Sequence, residues 1–155
     1  MAKSIQEIRG DLLTDKSISI IIHQVKTTGK FDGGLAAQIR IRYPLAWAAD
    51  KLAVEQGKNK LGMFSFAKVG QTKWVFNIYS QSTIGNQMNY TDYSALKNGL
   101  VSAKKYITTY LNSPTIGLGH IGTYAGGDWN ISRKVVEEAF TDYNGTIKII
   151  YTPGA

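Results

Sequence analysis

The 155-residue sequence contains no cysteine, which excludes disulfides and thiolate-bound metals. Only two histidines are present, His23 and His120, too few for an imidazole-based structural zinc site. No apolar run approaches the ~20 residues needed to span a bilayer. The opening MAKSIQEIRG lacks the apolar segment of a secretory signal. The expectation is a soluble cytoplasmic domain with no membrane partner. Acidic residues are also scarce: 11 against 18 basic ones, a formal charge of +7. The bases are scattered, with no run of five or more and no alternation with aromatics. Nucleic acid is therefore not the expected partner. Two readings of the charge stay open, a solvated basic surface and attraction for a small anion.

Glycine is abundant, and two stretches concentrate it. GHIGTYAGGDW (Gly119 to Trp129) follows an apolar stretch and leads into a helical pattern. GKFDGGLAAQI (Gly29 to Ile39) has the same character. Glycine allows positive φ and close approach of backbone to a ligand. A glycine turn feeding a helix N-terminus also presents unpaired N–H groups, the physical basis of a phosphate site. Two such loops suit a diphosphate if they converge.

The remaining pattern alternates strands and helices. Ser4 to Arg9 reads as a short strand, and SISIIIHQV (Ser17 to Val25) as a buried one. A helix follows from Gly34 to Arg42, and Pro44 opens a second, closed by Gly57. Leu61 to Val69 and Lys73 to Ser80 form a hairpin-like pair. Thr91-Asp92 starts a long helix to about Asn112, and Pro114 to Leu118 is a short strand. Asp128 to Tyr143 is amphipathic, with Ile131, Val135, Val136 and Phe140 on one face. Thr146 to Thr152 is the last strand. The order predicts a single α/β domain over residues 1–155, a three-layer α/β/α sandwich around a mixed sheet of about six strands. Ligands in such folds gather at the carboxyl ends of strands.

GDLL (Gly10 to Leu13), IIIHQV (Ile20 to Val25), GGLAAQIRIRYP (Gly33 to Pro44), FNIYSQ (Phe76 to Gln81), YTDYSALKNGL (Tyr90 to Leu100) and IGTYAGGDW (Ile121 to Trp129) occur in an order that spans most of the chain. In this the sequence resembles the macro domain family, the ADP-ribose-binding fold, near its ADP-ribose 1″-phosphate phosphatases and terminal ADP-ribose hydrolases. The resemblance implies that Asp11 accepts a hydrogen bond from the adenine amino group and that Leu12 offers its N–H nearby. It implies that Gly33, Gly34 and Leu35 line the distal ribose and diphosphate. Gly122, Thr123, Tyr124 and Ala125 would form the second phosphate loop, and Tyr151 would stack on adenine. Lys26 stands where many relatives have Asn, and Asp32 where many have glycine. No lysine occurs in Tyr79 to Thr83, so a lysine nucleophile is not expected.

Hydrolysis of an ADP-ribose derivative needs an activated water and charge stabilisation. The candidates are Asp128, His120 and Asp32. Asp128 either acts as a base or N-caps the following helix. His120 is an acid–base candidate or a loop histidine held by backbone. Asp32 either polarises a water or is solvated, and His23 reads as a core histidine. Asp11 itself either reads adenine or caps a turn. No metal or other cofactor is implied. The preferred function is dephosphorylation of ADP-ribose 1″-phosphate. The alternatives are a non-catalytic ADP-ribose reader, an ADP-ribosyl-protein hydrolase and, more remotely, a binder of RNA or poly-ADP-ribose.

Overall fold

Strand β2 (Ile20–Lys26) shows how the chain organises itself. Its side chains alternate between two cores: Ile20 and Ile22 enter one, Ile21 and Val25 the other. A strand buried on both faces needs apolar residues at nearly every position, and IIIHQV meets that need. The computed structural model describes residues 4–31, 33–82, 90–123 and 127–152. Its sheet adds β1 (Ser4–Arg9), β3 (Phe64–Gly70), β4 (Lys73–Ser82), β5 (Tyr90–Thr91), β6 (Ile116–Leu118) and β7 (Thr146–Tyr151). The order is β1-β7-β6-β2-β4-β3, with the two-residue β5 paired to the end of β4. The five strands from β1 to β4 in that order run parallel. β3 and β5 are antiparallel to β4. The mixed sheet is thus the predicted one, with β5 as an added short rung.

Among the described residues, four helices cover it. α1 (Gly34–Arg42) and α2 (Pro44–Glu55) pack Ile39, Ala46 and Ala53 against one face. α3 (Tyr93–Tyr110) and α4 (Trp129–Ala139) pack Leu96, Leu100, Ala103, Ile107 and Val136 against the other. Pro44 occupies the first turn of α2, where its missing N–H costs nothing. Asp92 and Asp128 N-cap α3 and α4, accepting from the N–H of Ala95 at 3.0 Å and of Asn130 at 2.8 Å.

Several details differ from the sequence reading: β3 starts at Phe64 rather than Leu61, and α4 ends at Ala139 rather than Tyr143. β2 begins at Ile20 rather than Ser17, because the Asp15 carboxylate holds both the N–H and the hydroxyl of Ser17 in a turn. Ile131, expected on the buried face of α4, is 46% exposed. With Asp128 as cap, the face toward the sheet is Ser132, Val136 and Ala139.

Candidate functional site

β2 and β6 lie side by side in the sheet, yet their following helices go to opposite faces. The chain after β2 leads to α1, and the chain after β6 leads to α4. Between two such strands the loops diverge and leave a crevice at their carboxyl ends. A cavity of about 470 Å³ opens there. That volume lies within the ~300–1,000 Å³ usual for small-molecule sites. Both glycine-rich loops line it.

Of the site residues read from sequence, Gly33, Gly34, Leu35, His120, Gly122, Thr123 and Tyr151 line the cavity. Lys26 and Lys30 add positive charge to its wall. Asp11 stands outside the lining, and its Oδ1 accepts the N–H of Leu13 at 2.9 Å, an Asx turn. Its segment is nonetheless tied to the cavity rim. The N–H of Gly10 donates to the Tyr151 carbonyl at 3.0 Å, and the Thr152 hydroxyl donates to the Gly10 carbonyl at 3.1 Å. Leu12 is buried in the core beneath α1 and α2. Asp128 is also outside the lining, with its carboxylate engaged as the α4 cap. Asp32, Tyr124 and Ala125 lie outside the described residues.

The second loop is built on contacts that the glycines alone do not reveal. Gly122 has φ +81°, and its N–H donates to Gln24 Oε1 at 3.1 Å. The Gln24 amide donates in turn to the hydroxyls of Ser80 at 2.8 Å and Thr91 at 3.1 Å. Thr91 Oγ1 closes the circuit by donating to the Gly122 carbonyl at 3.2 Å. A Cβ on Gly122 would sit 2.3 Å from Ser132 Oγ. Gln24, Thr91 and Ser132 therefore fix the loop, and none was singled out as a site residue. Gln24 carried a signal: it breaks the apolar alternation of Ile20 and Ile22 on the same face of the strand.

The first loop is held from outside. Trp47 Nε1 donates to the Gly29 carbonyl at 3.3 Å, and Asn59 Nδ2 to the Thr27 carbonyl at 2.7 Å. Gly34 has φ +54°, and none of the described residues lies within 4 Å of where a Cβ would stand.

His23 also lines the cavity but is only 2% exposed. Its Nε2 lies 2.6 Å from Asn77 Oδ1. The Asn77 amide donates to the Ala46 carbonyl and to Ser65 Oγ, both at 3.0 Å, so its oxygen faces the imidazole. Nε2 is therefore the protonated nitrogen. Burial disfavours the charged ring and pushes its pKa down to about 4. Beyond Ser65, the Tyr79 hydroxyl donates to Asp50 Oδ1 at 2.6 Å. Burial pushes the Asp50 carboxyl above the usual carboxylate range.

His120 is held by rings. It stacks on Trp129 with centroids 4.4 Å apart and planes at 20°, and on Tyr151 at 5.8 Å and 23°. Tyr151 thus already has one face against an imidazole. Among the described residues no group of three or more histidines and carboxylates could hold a metal, and no helix is long and apolar enough to cross a membrane.

No protein-family model matches the chain. It is 30% identical over 155 residues to an uncharacterized 17.5 kDa protein of Enterobacteria phage T4, covering 94% of each. It is similar in structure to the macrodomain of Mycobacterium tuberculosis DarG, with TM-score 0.81, 23% identity, and 97% and 98% of the two chains covered. The macrodomain of Thermus aquaticus DarG gives 0.79, 22% identity, and 96% and 98% coverage. Thermosipho africanus DarTG, solved in complex with ADP-ribose, gives 0.77 at 14% identity over 96% of this chain and 42% of that one. The chain belongs to one family with the phage T4 17.5 kDa protein, and its fold is that of the macrodomains.

Proposed function

We propose that the protein binds ADP-ribose in the cavity at the β2–β6 crevice and hydrolyses the terminal phosphate of ADP-ribose 1″-phosphate. The observation that carries the reading is the convergence of two glycine loops, from neighbouring strands, on one 470 Å³ site. Their backbone amides, apart from the Gly122 N–H held by Gln24, suit the diphosphate, and Lys26 and Lys30 line the same wall. Gly33, Gly34 and Leu35 take the distal ribose side, and Gly122 to Ala125 the diphosphate. Tyr151 packs on the adenine with the ring face that His120 leaves uncovered. Asp11 reads the adenine amino group from the rim with the carboxylate oxygen not used in its turn. His120 is the preferred acid–base group, because it lines the cavity while the Asp128 carboxylate is committed to the helix cap. The solved ADP-ribose complex of Thermosipho africanus DarTG, a protein of the same fold, supports the choice of ligand.

Calorimetry with ADP-ribose tests the binding, with saturable heat expected in the micromolar range. No heat at millimolar ligand overturns it. Asp11→Ala is expected to weaken ADP-ribose much more than ribose 5-phosphate, and equal losses would remove Asp11 from the adenine site. Release of inorganic phosphate from ADP-ribose 1″-phosphate tests the reaction. One observation favours a second reading, a reader that holds ADP-ribose without turnover: no carboxylate lines the cavity among the described residues. Tight binding with the substrate intact after long incubation would select it.

A further inference from the structure

We propose that Glu7 is a positioning residue for His120, directing the imidazole proton to Nε2 and leaving Nδ1 as the basic nitrogen at the cavity. The catalytic half of this inference rests on the hydrolytic reading above. His120 Nε2 is buried and has no hydrogen-bond partner among the described residues. It faces Glu7 Oε2 at 3.8 Å. The other oxygen, Oε1, accepts from Arg133 Nη1 at 2.6 Å, and Arg133 Nε donates to Glu137 at 3.3 Å. Glu7 is therefore held in place from α4.

The imidazole is stacked against the rings of both Trp129 and Tyr151, which hinders its turning about its own bond. In that fixed plane the two tautomers differ in energy. An Nε2 lone pair would point at a carboxylate oxygen, whereas an N–H there is attracted to it. The 3.8 Å gap is longer than a hydrogen bond, so the preference is electrostatic. Such contacts commonly shorten only once substrate is bound. The groups facing His120 are Glu7 from β1, with Arg133 and Glu137 behind it, Trp129 from α4 and Tyr151 from β7.

In the reaction, the oxygen of water bonds to phosphorus and the phosphorus–O1″ bond breaks, its electron pair staying on O1″. Nδ1 takes the proton from water and delivers it to O1″. ADP-ribose and inorganic phosphate leave, and the imidazole is regenerated.

The test combines ring-nitrogen NMR of His120 in alkaline buffer with kinetics on ADP-ribose 1″-phosphate. The wild type is expected to carry its proton on Nε2. In Glu7→Gln, whose amide can present either an oxygen or an N–H, the signals should move toward a mixture of tautomers. kcat should fall about tenfold, less than the ~10²–10⁴-fold that acid–base catalysis supplies because the base is misdirected and not removed, with KM and ADP-ribose affinity unchanged. Arg133→Gln should produce a smaller shift of the same kind. A wild-type proton on Nδ1, or an unmoved ring pattern in Glu7→Gln, overturns the inference. A changed pattern with unchanged kcat overturns its catalytic half alone. If the wild type binds ADP-ribose but releases no phosphate, the hydrolytic reading fails with that half, and the NMR still decides whether Glu7 sets the tautomer.

Discussion

The two glycine loops look alike in sequence and are held by different forces. In the loop after β6, Gly122 is required by space as well as by conformation. Its Cβ would meet Ser132, and its N–H and carbonyl are bound by Gln24 and Thr91. In the loop after β2, Gly34 is required by conformation only, because none of the described residues lies within 4 Å of where a Cβ would be. The first loop is clamped through carbonyls at Thr27 and Gly29, away from the cavity. The same residue type thus marks a rigid, packed wall on one side and an open, ligand-facing wall on the other. β2 reaches both loops from adjacent residues, since His23 meets Phe31 of the first loop edge-on at 5.3 Å and Gln24 accepts from Gly122 of the second.

The sharpest break of this contrast is Gly122→Ala. It combines a 2.3 Å clash with an unfavourable φ. The strain belongs to the overpacking class, ~1–3 kcal/mol, plus ~1–2 kcal/mol for the left-handed backbone. A large fall in melting temperature and loss of ADP-ribose binding are expected. A variant as stable and as tight as wild type would mean the loop is not packed as described. Adding Ser132→Ala should recover part of the stability and little of the binding.

Acid is the next largest effect, and it reports on the His23 side. The folded pKa of about 4 lies below the ordinary value of 6.5, so the unfolded chain binds the proton first. The stability held by neutral His23 is complete above pH 6.5 and is lost as pH falls toward 4. A shift of that size corresponds to on the order of 3 kcal/mol. Asp50, with its carboxyl pushed up, works in the opposite sense and gains stability as it protonates. Denaturant midpoints measured between neutral pH and pH 4.5 should fall for the wild type and flatten for His23→Gln. An equally steep fall in both would remove His23 as the cause.

Gln24→Ala leaves the Gly122 N–H and the Ser80 and Thr91 hydroxyls without their shared partner. A buried donor left unpaired costs ~1–3 kcal/mol. ADP-ribose affinity should drop by about tenfold, since a 1.4 kcal/mol change is tenfold. Calorimetry on the variant checks this. Gly34→Ala should be the mildest, about 1 kcal/mol from its backbone alone, with the fold intact and binding only modestly weaker. If Gly34→Ala proves as damaging as Gly122→Ala, the contrast between the loops is wrong.

Much of the architecture was legible because local rules agreed with it. The proline at the start of α2, the aspartates before α3 and α4, and the apolar runs of β2, β4 and β7 are signals carried by neighbours in sequence. Ile131 was misplaced because helical periodicity leaves the phase of the face open, and the cap and sheet contacts set it. The site was legible in its glycines and illegible in its supports. Gln24 meets Gly122 across 98 residues, and Glu7 meets Arg133 across 126. No local pattern marks such pairs.

Composition and periodicity by themselves determined an α/β chain without thiol chemistry, with two glycine turns each placed between a strand and a helix. Those properties depend on residue type and spacing alone. That β2 and β6 become neighbours while their helices part to opposite faces was decided only in three dimensions. Strand order depends on which buried surfaces fit together, and that fit brings the two turns to a common crevice and sets Glu7 beside His120.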